Sequence, residues 1–370
     1  MTAGPGRIRR RRMLAAIAAA VAGPRIGRAA TGEIAGDEGT VPEAPGAELS
    51  ERGATVLVAG PHDGDSAAWA ALLAPELQRV LQPGRALTTE MVGANDGVTG
   101  ANRFEAQVAP DGTTALLLPG EAAMAWLVGD PRARYDAADW VPALAVVGPA
   151  VLAGRVGIEA LVPGRAIRIG AGSPGGPDLP ALLALDLLGV QLVPIFGLAD
   201  AEAARNALAQ QAVDVVLLRD RNVPALVAQT VAVGGVPLFS MGAVDETGHI
   251  GRDPLFPTLP ALPELLQRVR GSAALANPLY PPWQAAAAAS QLDVGLVLQP
   301  LSPPGLVALW RRAAATAVAA APVETAAKSL GLRPLPVPAA TAAIAAIAPD
   351  AATLLELRRW LGGRFNWHPG

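Results

Sequence analysis

Two glycine-rich loops in this 370-residue chain carry polar groups suited to binding a small molecule. In the first loop, Gly60–Ser66, glycine lets the backbone approach a ligand closely, and a helix that begins after Asp65 would present unpaired N–H groups. Asp65 or Ser66 could instead simply cap that helix. One histidine and two acids in a loop form a weak metal-binding pattern, so we assign no metal ligand. The candidate contacts of this first loop are Pro61, His62, Asp63, Gly64, Asp65 and Ser66.

The second loop, Gly170–Asp178, could hold a polar or anionic group through backbone N–H groups and the Ser173 hydroxyl. Its Ala171–Gly175 sequence also resembles the nucleophile elbow of a serine hydrolase. A catalytic triad would need His249 or His368, and neither has a hydrolase-like context. We therefore assign no catalytic residue and no cofactor, and keep a secreted serine hydrolase using Ser173 as an alternative. The candidate ligand contacts of this loop are Ser173, Gly175 and Gly176.

Two shorter sequences, each at the end of a predicted strand, should face the same crevice. In open α/β sheets the ligand lies outside the carboxyl ends of the strands. Gly120 and Glu121 follow one apolar run, and Phe196 and Gly197 follow another. Phe196 could form an aromatic wall or belong to the core.

These loops are positioned by an alternation of apolar strands and helices that begins near Ala54. Near-continuous apolar strands predict mainly parallel sheets covered by helices on both faces. A chain of this length exceeds one usual core, so we predict an α/β fold with two lobes, and a chain that crosses twice between lobes is the construction of hinged clamshell binders. The expected boundaries are residues 53–148 plus 237–370 for one lobe and 149–236 for the other. Pro75 predicts a kink or break in the first helix. The predicted strands are Thr55–Ala59, Ala86–Val92, Thr114–Leu118, Ala143–Val147, Ala166–Gly170, Gln191–Ile195, Val213–Leu218, Val236–Ser240 and Val294–Gln299.

The N-terminus predicts export. Arg9–Arg12 precede the apolar stretch Met13–Ala22, which is shorter than the ~20 residues that span a bilayer, and small residues follow. Residues 1–30 are therefore expected to be a signal peptide, and Arg10–Leu14 also resembles a twin-arginine signal. Residues 31–52, rich in glycine, proline and glutamate, predict a disordered leader.

Composition excludes several classes of function. The first 30 residues hold seven arginines and no acid, so removing them changes the formal charge from −3 to about −10. An acidic mature chain is a poor nucleic-acid binder. The chain has no cysteine, which excludes disulfides, zinc–thiolate sites and thiol nucleophiles.

Several short sequence segments, taken in their order along the chain, resemble segments of the substrate-binding proteins of tripartite tricarboxylate transporters, the Bug-type receptors. The resemblance covers most of residues 54–361 and implies a type II periplasmic-binding-protein clamshell, each lobe a mainly parallel sheet covered by helices, that acts as a periplasmic, monomeric receptor and not as an enzyme. Such a receptor captures a small, carboxylate-bearing solute between two lobes and passes it to transporter membrane subunits. A receptor-like protein used for signalling is the other alternative. The matching segments are Gly60–Ser66, Val92–Gly97, Pro110–Gly112, Tyr135-Asp136, Trp140–Pro142, Gly170–Ser173, Pro194–Gly197, Phe256–Leu259 and Pro300–Pro304.

The chain departs from the family's usual sequence in two of these segments. His62, Asp63 and Asp65 occupy a loop that usually has paired glycines and few acids. Ile195-Phe196 replaces a usual Tyr-Lys. At ~4 Å and an effective dielectric of ~20, a carboxylate facing an anionic ligand costs roughly 4 kcal/mol. Either these acids turn outward, or the ligand is neutral or cationic.

Overall fold

The computed structural model describes residue 49 and residues 52–198 and 200–367. The expected signal peptide and most of the expected leader lie outside those residues. Two residues of the expected leader, Leu49 and Arg52, are described. Leu49 is fully buried in a hydrophobic cluster, and Arg52 donates a hydrogen bond to Asp111 at 3.4 Å.

The first sheet has six strands in the order β13-β4-β12-β3-β1-β2. Strands β1 to β4 run in one direction, and β12 and β13 run antiparallel to their neighbours. The central strands are apolar because both faces are covered by helices, whereas the edge strand β2 is polar and largely exposed. Their bounds are β1 Thr55–Ala59, β2 Thr88–Val92, β3 Thr114–Leu118, β4 Val141–Val147, β12 Leu292–Leu298 and β13 Arg333–Leu335.

The second sheet has five strands in the order β7-β6-β8-β5-β9, with β5 alone running antiparallel to its neighbours. Because β9 pairs with β5, this sheet extends to Ser240, beyond the expected return to the first lobe near residue 236. The bounds are β5 Val151–Gly154, β6 Ala166–Gly170, β7 Gln191–Ile195, β8 Val215–Leu218 and β9 Val236–Ser240; a separate hairpin pairs β10 Ala243–Val244 with β11 Ile250–Gly251.

From Asp65 to Phe365 the described residues form twelve α-helices, most of them between strands or in the C-terminal tail. Pro75 does not break the first helix, which continues from Asp65 to Leu81. Short elements with weak patterns, β5, β13 and one alanine-rich helix, were not predicted. The helices are α1 Asp65–Leu81, α2 Val98–Gln107, α3 Gly120–Val128, α4 Leu179–Leu188, α5 Ala201–Ala209, α6 Val223–Ala232, α7 Leu262–Arg270, α8 Tyr280–Gln291, α9 Pro304–Val318, α10 Ala321–Ser329, α11 Val337–Ile347 and α12 Ala351–Phe365.

The two crossings between the sheets lie side by side. The chain leaves the first sheet at Gly148, whose N–H donates to the Gln291 carbonyl at 2.8 Å, and returns at Met241, whose N–H donates to Ala150 at 2.8 Å. The second of these hydrogen bonds joins the two connections between the sheets directly.

Helix α8 connects the interiors of the two lobes. It packs against α3 and α11 on the side of the first sheet and against α4, which covers the second sheet. One hydrophobic cluster therefore includes residues from both lobes, with the fully buried Trp283 of α8 among them.

The length and apolarity of the described helices decide whether any of them could cross a membrane. No single helix among them combines the required length and apolarity, while α9 with α10 and α11 with α12 meet that test only as pairs, bent by 63° and 52°.

Candidate ligand-binding cavity

A cavity of about 400 Å³ lies where the ends of the strands of the two sheets face each other. Loops that follow β1, β2, β3, β4 and β8 contribute to its wall, as expected for a crevice outside the carboxyl ends of strands. The start of β12, which runs the other way, completes it. The lining residues are Gly60, Pro61, Asp63, Gly64, Asp65, Ser66, Asn95, Pro119, Glu121, Gly148, Asp220, Ser290, Gln291, Leu292, Asp293 and Leu332.

The loop after β1 forms one wall of the cavity. Gly64 is the residue before α1 and has no side chain to cap the helix, so the first N–H groups of α1 have no side-chain acceptor. Capping by Asp65 or Ser66 is therefore wrong: both belong to the first turn of α1. His62 is exposed and does not line the cavity.

The Arg221 guanidinium joins the two lobes across this wall. It extends from the turn after β8 in the second sheet and donates to both oxygens of Asp293 at 3.1 Å. It also donates to Asp65 at 2.5 Å. The Asp293 side chain is 9% exposed and also accepts from the indole N–H of Trp69, while Asp65 is 73% exposed. Arg221 therefore neutralises one buried carboxylate and restrains one exposed carboxylate.

A second guanidinium, that of Arg219, is held within the second lobe. Its Nε donates to Asp178 at 3.1 Å and its Nη1 to both oxygens of Asp220 at 2.7 Å. The other Asp178 oxygen accepts from the Gly172 N–H at 2.8 Å. Asp220 has a left-handed backbone with φ of 71°, which turns the chain so that this residue lines the cavity.

Glu121 lines the cavity at the start of α3 without a cationic partner in contact. Its carboxylate accepts from its own backbone N–H, and within the described chain no other residue donates to it. Burial raises the pKa of Glu121, and the neighbouring Asp220 and Asp293 raise it further, while Arg219 opposes them. Gly120 has a steric role: a Cβ there would overlap the carbonyl oxygens of Ala289 and Leu292.

Ser290, near the end of α8, lies beside Glu121. The two residues and Asp220 also line a narrow extension of the cavity. Ser290 is 8% exposed, and its Oγ has no hydrogen-bond partner among the residues the structure describes. A buried hydroxyl without a partner is uncommon and requires an explanation.

The predicted contacts of the second lobe do not line this cavity. Trp367 covers Gly175: a Cβ on that glycine would lie 3.1 Å from the indole ring. Phe196 packs edge-on against Phe365 of α12, with ring centroids 5.6 Å apart. Phe365 and Trp367 thus cover Phe196 and Gly175, and the predicted contacts that do not line the cavity are Ser173, Gly175, Gly176, Phe196 and Gly197.

Ser173 has none of the contacts of a catalytic nucleophile in the described part of the chain. It forms no hydrogen bond with His62 or His249, and His368 lies outside the described residues. His249 belongs to the β10–β11 connection, where its N–H donates to Asp245 at 3.0 Å. Nor do the described histidines, aspartates and glutamates include a group of three placed to hold a metal ion.

Sequence reasoning missed the residues that complete the cavity, chiefly Asp220, Ser290 and Asp293, together with Arg221. The turn Arg219–Asn222 follows an apolar strand and could have been found by the same strand-end rule used for the other loops. Ser290 and Asp293 belong to an alanine-rich region without a comparable signal.

The burial of Glu121 predicts a pH-dependent effect of Glu121→Gln on stability. A folded-state pKa above the unfolded value of about 4.3 means that the ionised carboxylate destabilises the fold at neutral pH, and that this penalty disappears as protons bind at lower pH. The variant should gain about 1 kcal/mol in unfolding free energy at pH 7 and nothing near pH 4. Urea denaturation at both pH values measures this, with Glu324→Gln, an exposed acid of α10, as the control. A loss of stability at pH 7 would contradict it.

The Arg221–Asp293 contact predicts a non-additive double-mutant cycle. Arg221→Met leaves a buried carboxylate without its cation and should cost about 3–5 kcal/mol. Asp293→Asn in the same chain should restore most of that loss. Arg132→Met, which removes an exposed ion pair with Asp96 and Asp130, should cost about 0–1 kcal/mol. Equal costs for the two single arginine variants, or additive effects in the cycle, would show that Arg221 does not hold the lobes.

Comparison with known proteins supports the architecture. No protein-family model and no curated protein matches the sequence. Among solved structures, a TctC solute binding protein from Polaromonas is similar at 17% identity and a TM-score of 0.60, over 82% of this chain and 96% of that one. MatC from Rhodopseudomonas palustris with bound malate is 21% identical over 83% and 97% of the chains, with a TM-score of 0.46. A further R. palustris protein with adipate is 16% identical over 82% and 96%, with a TM-score of 0.49. The chain has the two-lobed α/β fold of a TctC-type solute-binding protein.

Proposed function

We propose that this protein is an exported solute receptor that captures a small, polar, carboxylate-bearing metabolite in the cavity between its lobes. The observation that carries the proposal is the cavity itself, of about 400 Å³, with walls from both sheets in a fold shared with a solute binding protein. Pockets of roughly 300–1,000 Å³ suit small ligands. The expected export signal, with its twin-arginine sequence, supports a periplasmic location; failure of the chain to leave the cytoplasm would count against it.

The beginning of α1 is the part of the cavity suited to a ligand carboxylate. Gly64, Asp65 and Ser66 line the cavity there, and the first N–H groups of this 17-residue helix lack a side-chain cap. Unpaired N–H groups and the helix dipole together favour an anionic group. A carboxylate of the solute would satisfy these donors.

Binding is expected to involve closure of the lobes around the solute. A ligand that contacts both walls stabilises the closed form by its extra affinity for that form. Arg221 already connects the two lobes in the structure described here, so the solute would add to an existing contact.

Thermal denaturation with a panel of amino acids, mono- and dicarboxylates and aromatic acids tests the receptor. At least one solute should raise the unfolding free energy by about 2.7 kcal/mol at a hundred times its dissociation constant. Asn95→Trp, which fills the mouth of the cavity, should abolish the effect, whereas Asn206→Trp on the exposed face of α5 and Ser173→Ala should retain it. No stabilisation by any solute, together with ester hydrolysis that is lost in Ser173→Ala, would establish the hydrolase instead.

Transport is the proposed use of the bound solute. The receptor would act as a monomer that delivers it to membrane subunits of a tripartite tricarboxylate-type transporter. Deleting the chain should abolish uptake of that solute, and the wild type but not Asn95→Trp should restore it. Unchanged uptake after deletion would favour a signalling receptor.

A further inference from the structure

The charges around the cavity are predominantly negative. Five of its lining residues are acids, and the two arginines near them already have carboxylate partners: Arg221 pairs with Asp65 and Asp293, and Arg219 with Asp178 and Asp220. Among the described residues, no guanidinium or ammonium group lines the cavity itself. The lining acids are Asp63, Asp65, Glu121, Asp220 and Asp293.

Two of these acids have no cationic partner in contact. Asp63 forms no ion pair in the described chain, and the Glu121 carboxylate accepts only from its own N–H. A carboxylate beside a cavity, without a counter-charge, attracts a cation and repels an anion. These groups would therefore disfavour a solute that carries only carboxylates.

The unpartnered hydroxyl of Ser290 is an independent sign that a polar group belongs at this end. Ser290 is more than nine-tenths buried, its Oγ has no partner, and it lines both the cavity and the extension shared with Glu121 and Asp220. A hydroxyl can accept a hydrogen bond from an ammonium group, as can the two carboxylates. Three acceptors thus surround one small space, which matches the three donors of a primary ammonium group.

We propose that the solute also bears a protonated amine, which binds between Glu121, Asp220 and Ser290 while its carboxylate lies at the start of α1. The preferred class is therefore an amino acid or another zwitterionic amino carboxylate rather than a dicarboxylate. This inference rests on the receptor function and specifies the chemistry of its ligand. The amine pairs with Glu121, which lacks a cationic partner, and with Asp220, while the helix N–H groups bind the opposite end.

Calorimetric titration with probes matched in length tests the inference. The probes are α,ω-dicarboxylates, ω-amino carboxylates, α-amino acids and α,ω-diamines of three to six carbons. The wild-type protein should bind an amino carboxylate at least tenfold more tightly than the dicarboxylate of the same length. Glu121→Gln should reduce that preference at least tenfold and Ser290→Ala severalfold. Glu324→Gln should leave it unchanged.

The outcomes separate this inference from the receptor function. If a dicarboxylate binds as tightly as the amino carboxylate of the same length, the solute needs no amine, but the receptor function still stands. If no amine-bearing probe binds, the proposed amine of the solute is also wrong. Binding of neutral or anionic solutes then decides whether the protein is a receptor. Stabilisation by Ca²⁺ or Mg²⁺ alone, lost in Glu121→Gln, would show that the acids bind a metal ion instead. If Glu121→Gln keeps the preference for the amino carboxylate over the dicarboxylate, Glu121 does not bind the amine, and the proposal is contradicted.

Discussion

The ion pair between Arg221 and Asp293 is the constraint around which the cavity is built. A carboxylate as buried as Asp293 is costly unless a cation and hydrogen-bond donors satisfy it, and Arg221 supplies the cation from the other lobe. To do so, the turn after β8 adopts left-handed conformations at Asp220 and Asn222, with φ of 71° and 58°. The Asn222 N–H donates to the Leu330 carbonyl at 2.7 Å, which ties the same turn to the end of α10. This arrangement fixes the position of the turn after β8 and places the carboxylate of Asp220 in the second-lobe wall of the cavity.

The cavity that results has two ends of different electrostatic character. At the start of α1, uncapped N–H groups and the helix dipole favour a negative group. Beside Glu121, Asp220 and Ser290, acceptors predominate, and burial holds the pKa of both acids above its ordinary value. A solute with one negative and one positive end complements the electrostatic character of both ends of the cavity. This polarity distinguishes the cavity from one built to hold two carboxylates.

Much of the scaffold could be predicted from the sequence, because apolar runs separated by glycine-rich loops are a strong signal for buried strands. Several strands, including β1, β3, β6 and β7, have the predicted bounds, and the loop after β1 lines the cavity as its position implied. Strands β5 and β13 were missed because they are short. Helix α11 was missed because alanine marks no apolar face.

The residues predicted for the second wall do not line the cavity, for a tertiary reason that the sequence does not show. Ser173–Gly176 and Phe196 follow strands, as binding residues should, but Phe365 and Trp367 at the end of the chain pack over them. Local sequence contains no sign of that long-range contact. Asp293 illustrates the same limit, since its importance arises from an arginine 72 positions away along the chain.

The most direct measurement is native mass spectrometry of the protein purified from its own compartment, followed by release and identification of the bound small molecule. The charge distribution of the cavity predicts a solute that contains both a carboxylate and a basic nitrogen, present on the wild type and absent from Asn95→Trp. A bound solute with carboxylates and no basic nitrogen would contradict the assignment of Glu121, Asp220 and Ser290 as the site of an ammonium group.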